Sequence, residues 1–109
     1  MAYDEGLAHR IRELLPQNFE YEEKKMFGGL ALMANGHMSV GVTDYKLMVR
    51  TGPDLYEEAL QKPNTTKMDF TGKALKGFVY VLPEGIDKDD DLEFWINYSL
   101  DFVKTLPPK

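Results

Sequence analysis

The sequence predicts an α+β protein, a two-layer sandwich in which helices pack on an antiparallel sheet of about five strands. Segments with helical periodicity lie at both ends of the chain, and a short one lies in the middle. Extended apolar segments lie between them, separated by glycine, asparagine and proline. This order of helix, strands, helix, strands, helix is typical of an antiparallel sheet covered by helices. A length of 109 residues suits one domain, so we expect a single domain over residues 1–109.

The first helix is predicted from Leu7, Ile11 and Leu14, which recur at helical spacing. Asp4 is its expected N-cap, and Pro16 is expected to end it. We expect this helix to pack on the sheet.

The first strand is predicted over residues 19–27, where charged residues predominate, so we expect it to be exposed. Residues 30–33 and 37–42 flank Asn35-Gly36, which favours a type I′ hairpin because both residues tolerate positive φ. Another strand follows at 47–50. These strands are expected to be antiparallel neighbours.

A short helix is expected to begin at Thr51-Gly52-Pro53-Asp54, with Pro53 at the first helical position, where a missing N–H costs nothing. Pro63 is expected to end it. Residues 67–70 and 78–82 are then predicted strands, joined by a turn at 71–73. The strand at 78–82 is apolar on both faces, which indicates a central strand or one that a partner completes.

The last helix is predicted after the acidic residues 87–91, with Asp90 and Glu93 as a variant of the capping box. Its apolar surface is wider than the arc of an ordinary surface helix. Large aromatic side chains often anchor interfaces. The candidate interface, for a homodimer or another protein partner, therefore comprises Phe94, Trp95, Tyr98 and Phe102. The alternative is that the N-terminal helix covers these side chains.

Composition restricts the function. The net charge is −5 and the pI about 5.0, whereas proteins that bind DNA through its phosphates need clustered cations, so direct DNA binding is disfavoured. The absence of cysteine excludes disulfides and thiolate metal sites. No apolar stretch reaches the roughly 20 residues of a membrane span. We therefore expect a cytoplasmic protein with no membrane segment.

Four lysines are candidate anion contacts if the first and last predicted hairpins lie side by side: Lys24, Lys25, Lys73 and Lys76. The segment 72–77 lacks the Lys-Ser/Thr and the following helix of a phosphate loop, so a hairpin is favoured there. His9 and His37 lack the paired spacing of a zinc site. No catalytic, cofactor-binding or metal-binding residues are identified, and we expect no cofactor.

Several methionines lie in or beside the predicted strands. They are expected to fill the core, because apolar strand residues are mostly buried. The alternative is an adaptable binding surface, for which methionine is suited.

The chain resembles the N-terminal domain of the TfoX/Sxy family of bacterial competence regulators over nearly its whole length. The resemblance lies in its glycine-punctuated phrases and its closing residues: 26–30, 47–53, 68–73, 77–81 and 105–109. It implies a two-layer α/β fold similar to secretion chaperones. It also implies a role in regulating natural competence, in which longer members act as coactivators with a DNA-bound transcription factor. Because this chain ends at Lys109, we expect it to lack their C-terminal domain.

The leading hypothesis is a non-enzymatic regulatory domain that binds protein. Enzymatic activity stays open, although its absence is favoured. One alternative is a small enzyme or ligand-binding protein that acts on a nucleotide or RNA, with Lys73 and Lys76 as anion contacts. The other is a weak, direct nucleic-acid binder.

Overall fold

A computed structural model describes residues 3–17, 19–26, 28–70 and 72–107, and it describes the backbone alone at 70, 73 and 74. Phe27, Thr71 and the side chain of Lys73, which figure in the sequence predictions, lie outside this description. The elements in chain order are α1 (Glu5–Leu14), β1 (Tyr21–Met26), β2 (Gly29–Ala34), β3 (His37–Thr43), β4 (Lys46–Arg50), α2 (Tyr56–Leu60), β5 (Thr65–Phe70), β6 (Lys73–Val81), a 3-10 turn (Pro83–Gly85) and α3 (Asp89–Val103).

The sheet has six strands in the described residues, rather than the expected five or so, in the order β1-β2-β3-β4-β6-β5. All of its neighbours are antiparallel. The α+β class, the terminal helices and the inserted short helix are confirmed. β6 pairs with both β4 and β5, which explains why its sequence is apolar on both faces.

Local signals fix several boundaries. Asp4 caps α1 as predicted, with its Oδ1 accepting from the N–H groups of Gly6 at 2.9 Å and Leu7 at 3.3 Å. Asn35 and Gly36 have φ values of 52° and 85°, as the predicted type I′ turn requires. Both signals act within a few residues, so sequence alone suffices to find them.

Two predicted helix starts are wrong. α2 begins at Tyr56, because residues 53–55 form a turn that precedes the helix. The N-cap of α3 is Lys88, and no side chain caps it. Asp90 is therefore already helical and cannot act as the cap of a capping box. The acidic first turn still complements the positive end of the helix dipole.

One face of the sheet carries the main core. α1, α2 and α3 all contribute buried side chains there, among them Ile11, Tyr56 and Leu100. A register shift between β2 and β3 falls beside Ser39, whose hydroxyl donates to Ser99 Oγ at 3.0 Å. Ser99 in turn donates to the Ser39 carbonyl at 3.0 Å. This buried pair joins α3 to the centre of the sheet, with its polar atoms satisfied as burial demands.

The opposite face carries a second cluster. Its buried members are Ala31, Met38, Met48 and Met68, and its partly buried members are Met26, Met33, Leu75, Phe78 and Tyr80. The described helices lie on the other side of the sheet, so strand side chains alone build this face. We call it the methionine face.

Candidate interaction surface

The ring of Phe94 is exposed and packs against two other aromatic side chains of α3. Its ring centroid lies 5.4 Å from that of Trp95, edge to face, and 5.6 Å from that of Tyr98. Trp95 and Tyr98 are themselves 5.2 Å apart. Aromatic pairs at such separations attract each other beyond simple burial. The three rings therefore form one cluster, which we call the α3 aromatic cluster.

The candidate interface residues differ in exposure. Phe94 is 47% exposed, whereas Trp95 is 4% exposed and belongs to the main core. Tyr98 and Phe102 are half-buried against that core. Phe94 thus offers a partner the largest share of its ring, with part of Tyr98 beside it, and Trp95 supports both from below.

Lys62 lies over this cluster. Its Nζ is 5.3 Å from the ring centroid of Phe94 and 5.7 Å from that of Tyr98. A cation at this range is attracted to the ring faces. Sequence reasoning missed Lys62, because it lies after α2 and no local spacing links it to the last helix. The ammonium gives the aromatic surface a positive rim.

The hydroxyl of Tyr98 points toward α2. It donates a long hydrogen bond of 3.5 Å to the Leu55 carbonyl. Burial, and after it the nearby Glu58 carboxylate, raises the pKa of Tyr98 to about 12. The neutral phenol is the form that this site stabilises.

We expect the titration of Tyr98 to appear as a late step in the tyrosinate absorbance. A folded-state pKa raised above the ordinary value of about 10 means that the unfolded chain loses this proton first as pH rises. The contribution of Tyr98 to stability is therefore complete below about pH 10 and is lost toward about pH 12. The Tyr98→Phe variant should lack this step and lose less stability across that window. An unchanged titration curve in the variant would contradict the assignment.

Phe102 is the fourth candidate interface residue and lies one turn of α3 beyond Tyr98. The guanidinium carbon of Arg50 lies 5.3 Å from its ring centroid, and burial lowers the pKa of Arg50. The Phe102 ring also packs directly on Gly52, where a Cβ would overlap the ring carbons. Phe102 is thus tied to β4 and to the segment after it, which leaves it less available than Phe94.

An open cleft of about 260 Å³ lies beside Phe94. Its lining residues are Lys62, Pro63, Asn64, Glu84, Gly85, Asp91, Phe94 and Trp95. The cleft combines two aromatic side chains with one ammonium and two carboxylates. Histidine, serine and threonine are not among its described lining residues. Its chemistry suits the docking of a mixed polar and aromatic surface.

The methionine face has cations at one side that sequence reasoning did not find. Lys46 Nζ lies 4.6 Å from the ring centroid of Tyr80, and the Arg50 guanidinium lies 5.7 Å from that of Phe78. The methionines fill this cluster rather than stand out from it, since Met48 and Met68 are fully buried. Core filling, the expected role, holds for these two side chains.

The candidate anion contacts are not brought together. Lys24 and Lys25 lie on β1 at one edge of the sheet, and Lys76 lies on β6, beyond β3 and β4. Four strand spacings amount to about 19 Å. Lys24 and Lys25 also point to opposite faces, because successive strand residues alternate. The sheet order gives no support to one shared anion patch.

The two histidines lie on different elements, α1 and β3, and make different contacts. His9 is exposed and lies 3.2 Å from Glu13 on the same helix. His37 is 8% exposed, and its Nε2 donates to the Pro107 carbonyl at 2.6 Å. Across the described residues, no three His, Cys, Asp or Glu side chains converge as metal ligands would. His9 thus makes a contact within its own helix, and His37 makes a contact with the C-terminal segment.

In the described part of the chain, none of the helices is long and apolar enough to cross a membrane. Searches of curated proteins and of solved structures found no match. A family model, the TfoX N-terminal domain, matches residues 13–103. That span contains the whole sheet together with α2 and α3, including the aromatic cluster. The chain belongs to the TfoX N-terminal domain family.

Proposed function

We propose that this chain is a non-enzymatic regulatory domain that binds a protein partner through Phe94 and the adjoining part of the α3 aromatic cluster. The observation that carries the proposal is the exposure of Phe94. In the described residues only Tyr45 and Phe94 are large apolar side chains with exposed rings. Both rings line open clefts that contain charged groups, but the cleft at Phe94 holds a second aromatic ring, that of Trp95, whereas the described lining of the cleft at Tyr45 holds no other aromatic ring.

The support beneath Phe94 favours binding. Interfaces draw most of their energy from a few aromatic anchors that become fully buried. Trp95 and Tyr98 restrict the Phe94 ring by direct contact, so less side-chain entropy is lost when a partner covers it. Lys62 at the rim, with Glu84 and Asp91 in the cleft, provides charges that can select the partner's orientation.

The family supports a regulatory role in the expression of competence genes. A net charge of −5 disfavours direct neutralisation of DNA phosphates. Contact with a transcription regulator that itself binds DNA fits both facts. The domain would then influence transcription through protein contacts.

The test is complementation of a deletion strain of the source organism. We expect the wild-type gene and a Tyr45→Ala variant to restore transcription of competence genes, and a Phe94→Ala variant to fail. Tyr45 is the matched control, because its ring is 70% exposed but lies between β3 and β4, in a cleft that does not include Phe94. Equal thermal stability of the two variants would exclude misfolding as the cause. Full activity of Phe94→Ala would contradict the proposal.

A ligand screen separates this proposal from an enzyme or a nucleotide-binding protein. A ligand at 100 times its dissociation constant stabilises the folded state by about 2.7 kcal/mol. We expect no shift of the thermal midpoint with nucleotides, S-adenosylmethionine or divalent metals. A concentration-dependent shift that Phe94→Ala abolishes would assign the cleft to a small ligand instead.

A further inference from the structure

β1 is a free sheet edge. In the described residues it pairs with β2 alone, in unbroken register from Tyr21 opposite Ala34 to Met26 opposite Gly29. β5, at the other edge, has a register shift between Lys67 and Asp69. Such irregularities twist an edge away from further pairing. β1 is therefore the more regular template for an added strand.

The hydrogen-bonding direction of β1 follows from the residue that precedes it. The Glu20 carbonyl accepts from the Asn35 N–H at 2.8 Å, across the hairpin to β2. Inward and outward main-chain groups alternate along an antiparallel strand. Tyr21, Glu23 and Lys25 therefore direct their N–H and C=O groups away from the sheet, toward an added strand.

The side chains of β1 also alternate between the two faces. Glu23 lies on the helix face, where the guanidinium of Arg12 holds it in two hydrogen bonds of 2.5 and 2.9 Å. That guanidinium also lowers the pKa of the Glu23 carboxyl. Glu22 and Lys24 point to the methionine face, both exposed. Within the described molecule, neither has an ion-pair partner.

We propose that β1 pairs with β1 of a second copy of this chain, antiparallel, about a twofold axis at Glu23. Directly opposite residues in antiparallel strands lie on the same face. With the axis at Glu23, Glu22 of each copy is opposite Lys24 of the other. Tyr21 is likewise opposite Lys25, whose ammonium can lie against the aromatic ring. The outward main-chain groups of residues 21, 23 and 25 then meet their counterparts.

Charge selects this register over the neighbouring one. An axis at Lys24 would place two uncompensated ammonium groups directly opposite each other. An axis at Glu23 places two carboxylates opposite each other, but each is already paired with its own Arg12. Like charges directly opposite destabilise a strand pair, and opposite charges stabilise it. The twofold axis at Glu23 therefore gives Glu22 and Lys24, which have no ion-pair partner among the described residues of one copy, partners of opposite charge in the other copy.

The helix layer leaves room for this pairing. α1 packs mainly against α3 and β3, which lie inward from the edge. Arg12 of α1 contacts β1 through its ion pair with Glu23. The sheet of a second copy can thus continue the first sheet beyond β1, with the helices of both copies on the same face of the joined sheet.

The test uses charge reversal and the association of purified protein, measured by analytical ultracentrifugation. We expect wild type to dimerise, and Glu22→Lys and Lys24→Glu each to weaken dimerisation by about 10- to 100-fold, since each turns two attractive pairs into repulsive ones. An equimolar mixture of the two variants should associate again, because lysines at 22 and 24 then face glutamates. The double variant Glu22→Lys, Lys24→Glu should dimerise like wild type.

Three outcomes would overturn the pairing. They are a wild type that stays monomeric at millimolar concentration, single variants that dimerise like wild type, and a mixture that fails to associate. Site-resolved amide exchange gives an independent readout, in which residues 21, 23 and 25 should gain protection as concentration rises. Phe94→Ala should dimerise normally, so failure of this pairing and failure of the proposed partner surface are distinguishable.

Discussion

Replacement of Trp95 by alanine is expected to lower the free energy of unfolding by about 3–5 kcal/mol, the cost of removing a large buried aromatic side chain. Trp95 is 4% exposed and contacts both Phe94 and Tyr98. Chemical denaturation, followed by circular dichroism, measures the loss.

Phe94→Ala is the matched control for Trp95→Ala. It removes an aromatic ring from the adjacent position of the same helix, but that ring is 47% exposed. We expect it to cost less than about 1 kcal/mol, as for most surface substitutions. If both variants lost the same free energy of unfolding, the assignment of Trp95 as a buried support and of Phe94 as an exposed contact would be contradicted.

Gly52→Ala is expected to destabilise the protein by about 2–5 kcal/mol, because two costs add. Gly52 has a φ of 80°, which an alanine adopts only with strain. The added Cβ would also overlap the ring of Phe102, which the guanidinium of Arg50 contacts as well. The ring would have to move, and with it the end of α3.

Gly28→Ala separates these two costs. Gly28 has a similar φ of 74°, but a Cβ there would meet nothing within 4 Å. We therefore expect only the conformational cost of about 1–2 kcal/mol. If Gly52→Ala lowered the free energy of unfolding no more than Gly28→Ala in the same assay, the overlap of the added Cβ with Phe102 would contribute nothing to the loss.

The parts of the fold that sequence predicted correctly depend on local chemistry. The cap at Asp4 and the turn at Asn35-Gly36 each involve residues close in sequence. The predicted start of α3 was wrong because three successive aspartates are all plausible caps, whereas the helix begins after Lys88, which forms no side-chain cap. The resemblance identified the family, which the match to residues 13–103 confirms.

The candidate site was harder to predict because it depends on distant residues. Sequence indicated a row of four aromatic side chains on the last helix but could not rank them by exposure. That ranking follows from the helix orientation on the sheet, which Ser39 and Ser99 help to fix. The lysine grouping required the two hairpins to be neighbours, and β3 and β4 lie between them.

The most direct test of the proposed partner surface is photo-cross-linking in cells of the source organism. A photoreactive phenylalanine derivative would replace Phe94 in one strain and Tyr45 in another. We expect a discrete adduct with a transcription regulator from position 94, identified by mass spectrometry, and no such adduct from position 45. Adducts of equal yield and identity from both positions, or none from position 94 while the protein is folded and expressed, would contradict a partner surface at Phe94.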